Sequence, residues 1–100
     1  MHNYILKLDQ NDRFVLSGDI NLSTARAIKI DGISQFKNYN SIELELRNVD
    51  NFDSSLITIL LAWQRHLIRK NIVFAISISQ QSISMLLNSY KVQDLFSYFD

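Results

Sequence analysis

The sequence predicts an α/β domain built on a mixed β-sheet, with the element order β-β-α-β-α-β-α and the helices packed mainly on one face. Short segments of alternating hydrophobicity, typical of strands, are interleaved with longer segments of helical period. In the clearest strand, residues 41–49, large apolar residues alternate with charged ones. The apolar positions are Ile42, Leu44 and Leu46, and the charged positions are Glu43, Glu45 and Arg47. Because the charged side is expected to meet water, the helices should cover the other side.

The amino-terminal part of the chain has the pattern of a β-hairpin. Two short apolar runs, residues 3–8 and 13–17, are separated by a polar link of four residues. The pair Gly18-Asp19 is expected to end the second strand.

The next segment has a helical period. A helix is expected from Ser23 or Thr24 to about Lys37, with the Ser23 hydroxyl as its N-cap. Four apolar residues have the spacing to share its buried face: Ala27, Ile30, Ile33 and Phe36.

The second half of the chain contains the longest predicted helix, residues 53–70. Two apolar stripes run along it: Leu56, Leu60, Trp63 and Leu67 in one, and Ile57, Leu61 and Ile68 in the other. Its first turns are apolar beyond one face, so Ile59 is expected either in a protein interface or beneath a neighbouring helix. A strand over residues 71–79, a helix over 80–90 and a last short helix within 92–99 complete the pattern.

Length and composition indicate a single globular domain, residues 1–100. Ten Lys and Arg balance ten Asp and Glu, so the chain lacks the basic bias that nucleic-acid binding requires. The clearest basic run is short, and it comprises Arg65, His66, Arg69 and Lys70. No secretory signal is visible, and the longest apolar run, residues 56–63, is far shorter than the roughly 18 residues that span a bilayer. We therefore expect a cytoplasmic protein without membrane insertion.

The sequence predicts no enzyme, metal site or cofactor. There are no cysteines, and the two glycines are isolated, which excludes thiolate metal sites and a phosphate-cradling loop. His66 is expected on the solvent face of the long helix, as an ordinary surface residue rather than a catalytic base. Glu43 and Glu45 lie on one strand without further ligands and are interpreted as a water-facing sheet surface.

The segment Asn51–Leu56 gives the strongest functional signal. Asp53 followed by Ser54 and Ser55, directly before an apolar helix, is an N-cap signature. One interpretation is a capped helix and nothing more. The other is functional, because hydroxyls at a helix start are accessible to a partner. A phosphate on one of them would lie where backbone amides and the helix dipole favour an anion.

The element order and the stretch NFDSSLITILLAWQRHL resemble the STAS family, the sulfate transporter and anti-sigma-factor antagonist domains. The family is marked by a strand that ends in Asp-Ser-Ser or Asp-Thr-Gly before a long apolar helix. Asp53, Ser54 and Ser55 match these positions, and the stretch LSGDINLSTA resembles the part before the first helix. Leu56 departs from the pattern, since a small residue is usual there.

The resemblance implies a protein-binding domain from one of two branches. In the MlaB-like branch, to which the run DSS…LLAWQRH is more similar, the domain binds the ATPase of a phospholipid-trafficking ABC transporter at the inner face of the inner membrane. That transporter maintains outer-membrane lipid asymmetry. In the alternative branch, the anti-sigma-factor antagonists, a kinase that is also the anti-sigma factor phosphorylates the serine after the aspartate.

Carried over, the resemblance implies partner contacts at the start of the longest helix and one face beyond it. These residues are Asp53, Ser54, Ser55, Thr58, Ala62 and Arg65. In the alternative branch Ser54 is the phosphorylated residue. The bulk of Leu56 is expected to hinder a kinase, so the transporter branch is the first expectation.

Overall fold

The computed structural model describes residues 3–99. Its elements are β1 (Tyr4–Leu8), β2 (Phe14–Ile20), α1 (Leu22–Phe36), β3 (Ser41–Glu45), β4 (Val49–Phe52), α2 (Ser55–Arg69), β5 (Val73–Ser77), α3 (Gln81–Ser89), a 3₁₀ turn (Gln93–Leu95) and β6 (Ser97–Tyr98). The predicted α/β class is confirmed, and the strands β4 and β6 are additional to the predicted order.

The strands of the described chain form one mixed sheet in the order β1-β2-β3-β5-β6, with β4 paired to β2 outside this row. β1 runs antiparallel to β2, with Leu6 opposite Leu16, and the other pairs are parallel. β2 is therefore shared: β3 pairs with its first residues and β4 with its last.

The hydrophobic core lies on one face of the sheet. The strands contribute their alternate residues Phe14, Leu16, Ile42, Leu44, Phe74 and Ile76. The predicted stripe of α2 joins them, with Leu56, Leu60, Trp63 and Leu67 all buried. On the opposite face Arg13 and Glu43 form an ion pair with 3.3 Å between Nε and Oε1. The helices thus cover mainly one face, as predicted.

The buried face of α1 differs from the prediction, which was right for Phe36 but not for Ala27, which is only partly buried. Its buried residues are Thr24, Ala25, Ile28, Gly32 and Phe36, whereas Ile30 is 58% exposed and Ile33 is also exposed. The helix is rotated because the ring of Trp63 packs against Gly32, where a Cβ would lie 2.4 Å from the indole. Hydrophobic spacing alone does not reveal such a contact.

The N-cap of α1 is Asn21, so the prediction of Ser23 was wrong. The amide of Ser23 donates to the Asn21 side chain over 2.9 Å, and the amide of Asn21 donates to Thr24 Oγ1 over 3.0 Å. This reciprocal pair is a capping box. It begins the helix two residues earlier than a serine cap at position 23 would.

β2 continues through Gly18 and Asp19 to Ile20, although these two residues were expected to end it. Gly18 has a φ of +97°, and a Cβ there would lie 2.2 Å from the carbonyl oxygen of Asn3. The register between β2 and β4 shifts between Gly18 and Asp19. The glycine therefore forms a bulge inside the strand rather than a stop.

The predicted strand 41–49 is two strands, because β3 ends at Glu45 and β4 begins at Val49 after a turn. The amide of Val49 donates to the carbonyl of Leu46 over 3.2 Å and closes this turn. Glu45 is also buried, at 6% exposure, rather than water-facing as expected. Its Oε2 lies 3.4 Å from a guanidinium nitrogen of Arg47, which supplies the opposite charge that a buried carboxylate requires.

Ile59 is fully buried, which places it inside the protein and not in an interface. Ile68, predicted in the second stripe, is instead 63% exposed. The tail 92–99 was predicted as a helix but forms the 3₁₀ turn and β6, because the free edge of β5 offers backbone partners. The amide of Phe99 extends this pairing by donating to the Ile76 carbonyl over 3.0 Å. None of the described helices is long and apolar enough to cross a membrane.

Candidate functional site

The start of α2 is held in place by the end of β2. β4 pairs with β2 up to the contact of Phe52 with Ile20, and the amide of Asp53 then donates to the Ile20 carbonyl over 3.2 Å. Since β4 and β2 are parallel, residues 53–54 emerge at the carboxyl edge of the sheet. Backbone pairing therefore fixes the position of the Asp-Ser-Ser motif.

Asp53 caps α2. The amide of Ser55 donates to Asp53 Oδ1 over 2.8 Å, and the amide of Leu56 donates to the Asp53 carbonyl over 3.0 Å. Ser54 has helical dihedral angles (φ −62°, ψ −13°), and its side chain makes no capping hydrogen bond. The predicted cap is present, and the hydroxyl of Ser54 is not used for it.

The six residues predicted for partner binding lie along the outer side of α2. Asp53, Ser54, Thr58 and Arg65 are exposed, and Ser55 and Ala62 are partly buried. Ser54, Thr58 and Ala62 are four residues apart, and Arg65 follows three residues later. These four side chains therefore share one face of the helix. We call these six residues the α2 surface.

Two neighbours of the motif in the core bear on the predicted site. Leu56 is fully buried, so its side chain adds no exposed bulk beside the two serines. Trp63 is fully buried as well, and its Nε1 donates to the carbonyl of Lys29 over 3.1 Å. The tryptophan in the run that resembles the transporter branch is thus a core residue and cannot contact a partner.

The first turn of α1 adds an apolar residue that the sequence analysis missed. Leu22 is 85% exposed and follows Ile20 and Asn21, which lie beside Asp53 through the backbone contact of Ile20. A single exposed leucine is common on protein surfaces, and its position beside the Ile20–Asp53 backbone contact is what makes Leu22 a candidate for partner contact. The signal in the sequence was a leucine isolated among polar residues, Asn21 to Thr24.

The charge around the motif is negative. Asp19, Asp50 and Asp53 lie at this end of the sheet, and Asp19 Oδ1 accepts a hydrogen bond from the Asn51 side chain over 2.9 Å. Within residues 3–99 none of these three carboxylates has a cationic group within 4.0 Å. The surface therefore favours basic groups on whatever binds it.

Across residues 3–99, no group of three or more His, Asp or Glu side chains is placed to hold a metal ion. His66 is partly buried at the far end of α2, not beside the serines. The site offers two hydroxyls, carboxylates and one apolar side chain on a rigid support.

Comparison with known proteins identifies the fold. No protein-family model matches the chain, and no curated protein sequence matches it. A Thermotoga maritima protein assigned as an anti-sigma factor antagonist superposes with a TM-score of 0.77 at 19% identity, covering 99% of this chain and 87% of that one. An anti-sigma factor antagonist from Mycobacterium paratuberculosis gives a TM-score of 0.77 at 18% identity, covering 96% and 83%.

A third similar structure is the anti-sigma factor antagonist SpoIIAA in its unphosphorylated form. Its TM-score is 0.66 at 15% identity, with 97% of this chain and 87% of that chain covered. All three are anti-sigma factor antagonists, and none represents the expected transporter branch. Identities this low establish architecture alone: this chain has the fold of the anti-sigma factor antagonists, the STAS fold.

Proposed function

We propose that this domain is a non-enzymatic, protein-binding switch of the anti-sigma-factor-antagonist kind. The start of α2 docks a kinase that is also an anti-sigma factor, and phosphorylation of Ser54 controls the docking. The supporting observation is the placement of Ser54, which is exposed directly after the capping Asp53 with its hydroxyl outside the cap. The buried position of Leu56 leaves a kinase access to that hydroxyl.

A phosphate on Ser54 changes the surface more than the fold. The amide of Ser55 already serves the Asp53 carboxylate, so the phosphate adds about −1.5 to −2 charges beside an occupied cap. When the partner is in close contact, the phosphate clashes sterically and loses its hydration. This cost outweighs the electrostatic attraction between the phosphate and cations of the partner. The modified domain therefore docks more weakly, while the exposed carboxylates continue to attract a basic partner surface.

The test is intact-mass measurement after incubation with the cognate kinase. One added phosphate on the natural chain, and none on Ser54→Ala, is the expected result. Binding is measured separately with Ser54→Glu, which should weaken docking at least about tenfold, equal to about 1.4 kcal/mol. Ser82→Glu is the matched control, since Ser82 is also exposed near a helix start, that of α3. No phosphate on Ser54 and equal binding by both Glu variants would contradict the proposal.

A second candidate is docking to the ATPase of a phospholipid-trafficking ABC transporter. The observation that favours it is the exposed Arg65, which continues the α2 surface within the run that resembles that branch. The domain would then reside at the inner face of the inner membrane through its partner. Co-purification from the native cell separates the two: an ATPase that is lost with Ser54→Glu favours the transporter, and a kinase favours the switch.

A further inference from the structure

A cleft of about 340 Å³ lies at the opposite end of α2 from Ser54. It forms where α1 runs into β3 and where α2 runs into β5. Its lining residues, which we call the cationic cleft, are Lys37, Asn38, Tyr39, Asn40, His66, Leu67, Lys70 and Ile72. From Ser54 to Lys70 the helix spans about 24 Å at about 1.5 Å per residue, so the cleft is separate from the docking site.

Positive charge is concentrated in this cleft without compensation. Lys37 supplies one charge from the end of α1 and Lys70 a second from the end of α2, while no carboxylate lines the cleft. Within residues 3–99 neither lysine lies within 4.0 Å of a carboxylate. Because the chain as a whole has a formal net charge of zero, this local excess attracts an anion.

The carbonyl groups at the end of α2 do not oppose an anion as free acceptors. The Leu67 carbonyl accepts from the amide of Lys70 over 3.1 Å and from that of Ile72 over 2.9 Å. The Ile68 carbonyl accepts from the amide of Asn71 over 3.0 Å. The negative end of the helix is thus occupied by backbone donors.

The walls of the cleft are preformed. Leu67 is 1% exposed and forms the floor, and the edge of the Tyr39 ring packs against Phe14 with 5.2 Å between centroids. The amide of Val73 donates to the Asn40 carbonyl over 3.1 Å and joins the two strands that border the cleft. The floor and the backbone of the cleft are therefore in place before a ligand binds, which lowers the entropy cost of binding.

We propose that the cationic cleft binds a small phosphate-bearing molecule. Lys37 and Lys70 supply the charge, and the amides of Asn38 and Asn40, the hydroxyl of Tyr39 and the imidazole of His66 supply directed hydrogen bonds. The volume is within the range of about 300–1,000 Å³ of small-molecule sites. This site is independent of the partner proposed for Ser54.

The test is a titration of the full, isotope-labelled chain with inorganic pyrophosphate, followed by the backbone amide signals in NMR spectra. The largest shifts are expected at residues 37–40 and 66–72, and the affinity should fall as salt screens the charges. The double variant Lys37→Ala/Lys70→Ala should weaken binding at least tenfold. A thermal unfolding curve of each variant verifies that it is folded.

The matched control removes two exposed cations elsewhere, with Lys7→Ala/Arg26→Ala. This pair should leave pyrophosphate affinity within about twofold. Equal weakening by both pairs, or shifts centred on Ser54 and Ser55, would overturn the proposal, and so would saturating pyrophosphate that leaves residues 37–40 and 66–72 unmoved. In that case the two lysines serve only the ends of the helices.

Discussion

The indole ring of Trp63 packs directly against the backbone of Gly32, and this contact fixes how α2 lies on α1. A Cβ at position 32 would lie 2.4 Å from Cε2 and Cζ2 of the ring. The indole Nε1 donates to the Lys29 carbonyl over 3.1 Å, and Phe36 packs edge-on with 5.1 Å between ring centroids. Trp63 is thereby held by three residues on one face of α1.

Gly32→Ala is expected to destabilise the protein, although alanine is ordinarily the better helix former. The added methyl group forces the buried ring to move, and overpacking of this kind costs about 1–3 kcal/mol. Urea unfolding measures the change in the free energy of unfolding. Ser34→Ala, on the exposed side of the same helix, is the control and should change it by less than about 0.5 kcal/mol. A Gly32→Ala variant as stable as the natural chain would show that the ring is not confined.

Asp53→Ala should lower stability by about 0.5–2 kcal/mol, because it removes the acceptor for the Ser55 amide. Asp53→Asn keeps an acceptor oxygen and loses only the charge, so its unfolding free energy should stay within about 0.5 kcal/mol of the natural chain. Chemical unfolding distinguishes the two variants. Equal losses in both would mean that the charge, rather than the hydrogen bond, stabilises the helix start.

Leu22→Ser is expected to weaken docking of the partner without changing stability. At 85% exposure the side chain contributes little to the fold, whereas burial of an exposed leucine in an interface can contribute more than about 1 kcal/mol. Affinity for the co-purified partner is measured by calorimetry. Ile68→Ser is the control, since Ile68 is 63% exposed at the far end of α2. The same loss of affinity in both variants would show that Leu22 makes no specific contact with the partner.

The stability of the protein should fall at alkaline pH, in part through Tyr4. Its hydroxyl donates to Asp31 Oδ2 over 3.2 Å. Desolvation, and then the charge and hydrogen bond of Asp31, raise the pKa of Tyr4 above its usual 10.0. The folded state thus holds this proton more tightly than the unfolded chain does. Its contribution is complete below about pH 10 and is lost as the pH rises through the raised pKa.

Urea unfolding at pH 8 and pH 11 tests this expectation. Tyr4→Phe should be less stable at pH 8 by no more than about 1 kcal/mol, and its stability should fall less between the two pH values. Tyr90→Phe, an exposed tyrosine, should follow the natural chain at both. An identical fall in the natural chain and in Tyr4→Phe would exclude a contribution from this proton.

Much of the fold follows from periodicity in the sequence. The alternation in residues 41–45 and 73–77 and the stripe through Leu56, Leu60, Trp63 and Leu67 predicted the buried sides of β3, β5 and α2 correctly. Each of these elements buries one continuous apolar side. The hydrophobic pattern within the element is therefore enough to predict which side is buried. The cap at Asp53 could be predicted for a similar reason, because a capping bond is local in sequence.

The failures arose where distant contacts decide the local structure. The rotation of α1 depends on a tryptophan 31 positions later, and β6 depends on the free edge of β5. The break between β3 and β4 depends on how each segment pairs with β2. In the candidate site, Leu22 was missed because its proximity to Asp53 exists only after the chain has folded.

The end of β2, at the bulge of Gly18, positions three segments that are distant from it in the sequence. β1, β4 and the first amide of the motif all attach within three residues of it, through Tyr4, Val49 and Asp53. A substitution that shifts the backbone of β2 at Gly18 would therefore shift the two serines through these hydrogen bonds. No side chain that a partner touches would be changed. If substitutions in residues 17–20 abolish binding, the cause would be a displaced start of α2 rather than the loss of a direct contact with the partner.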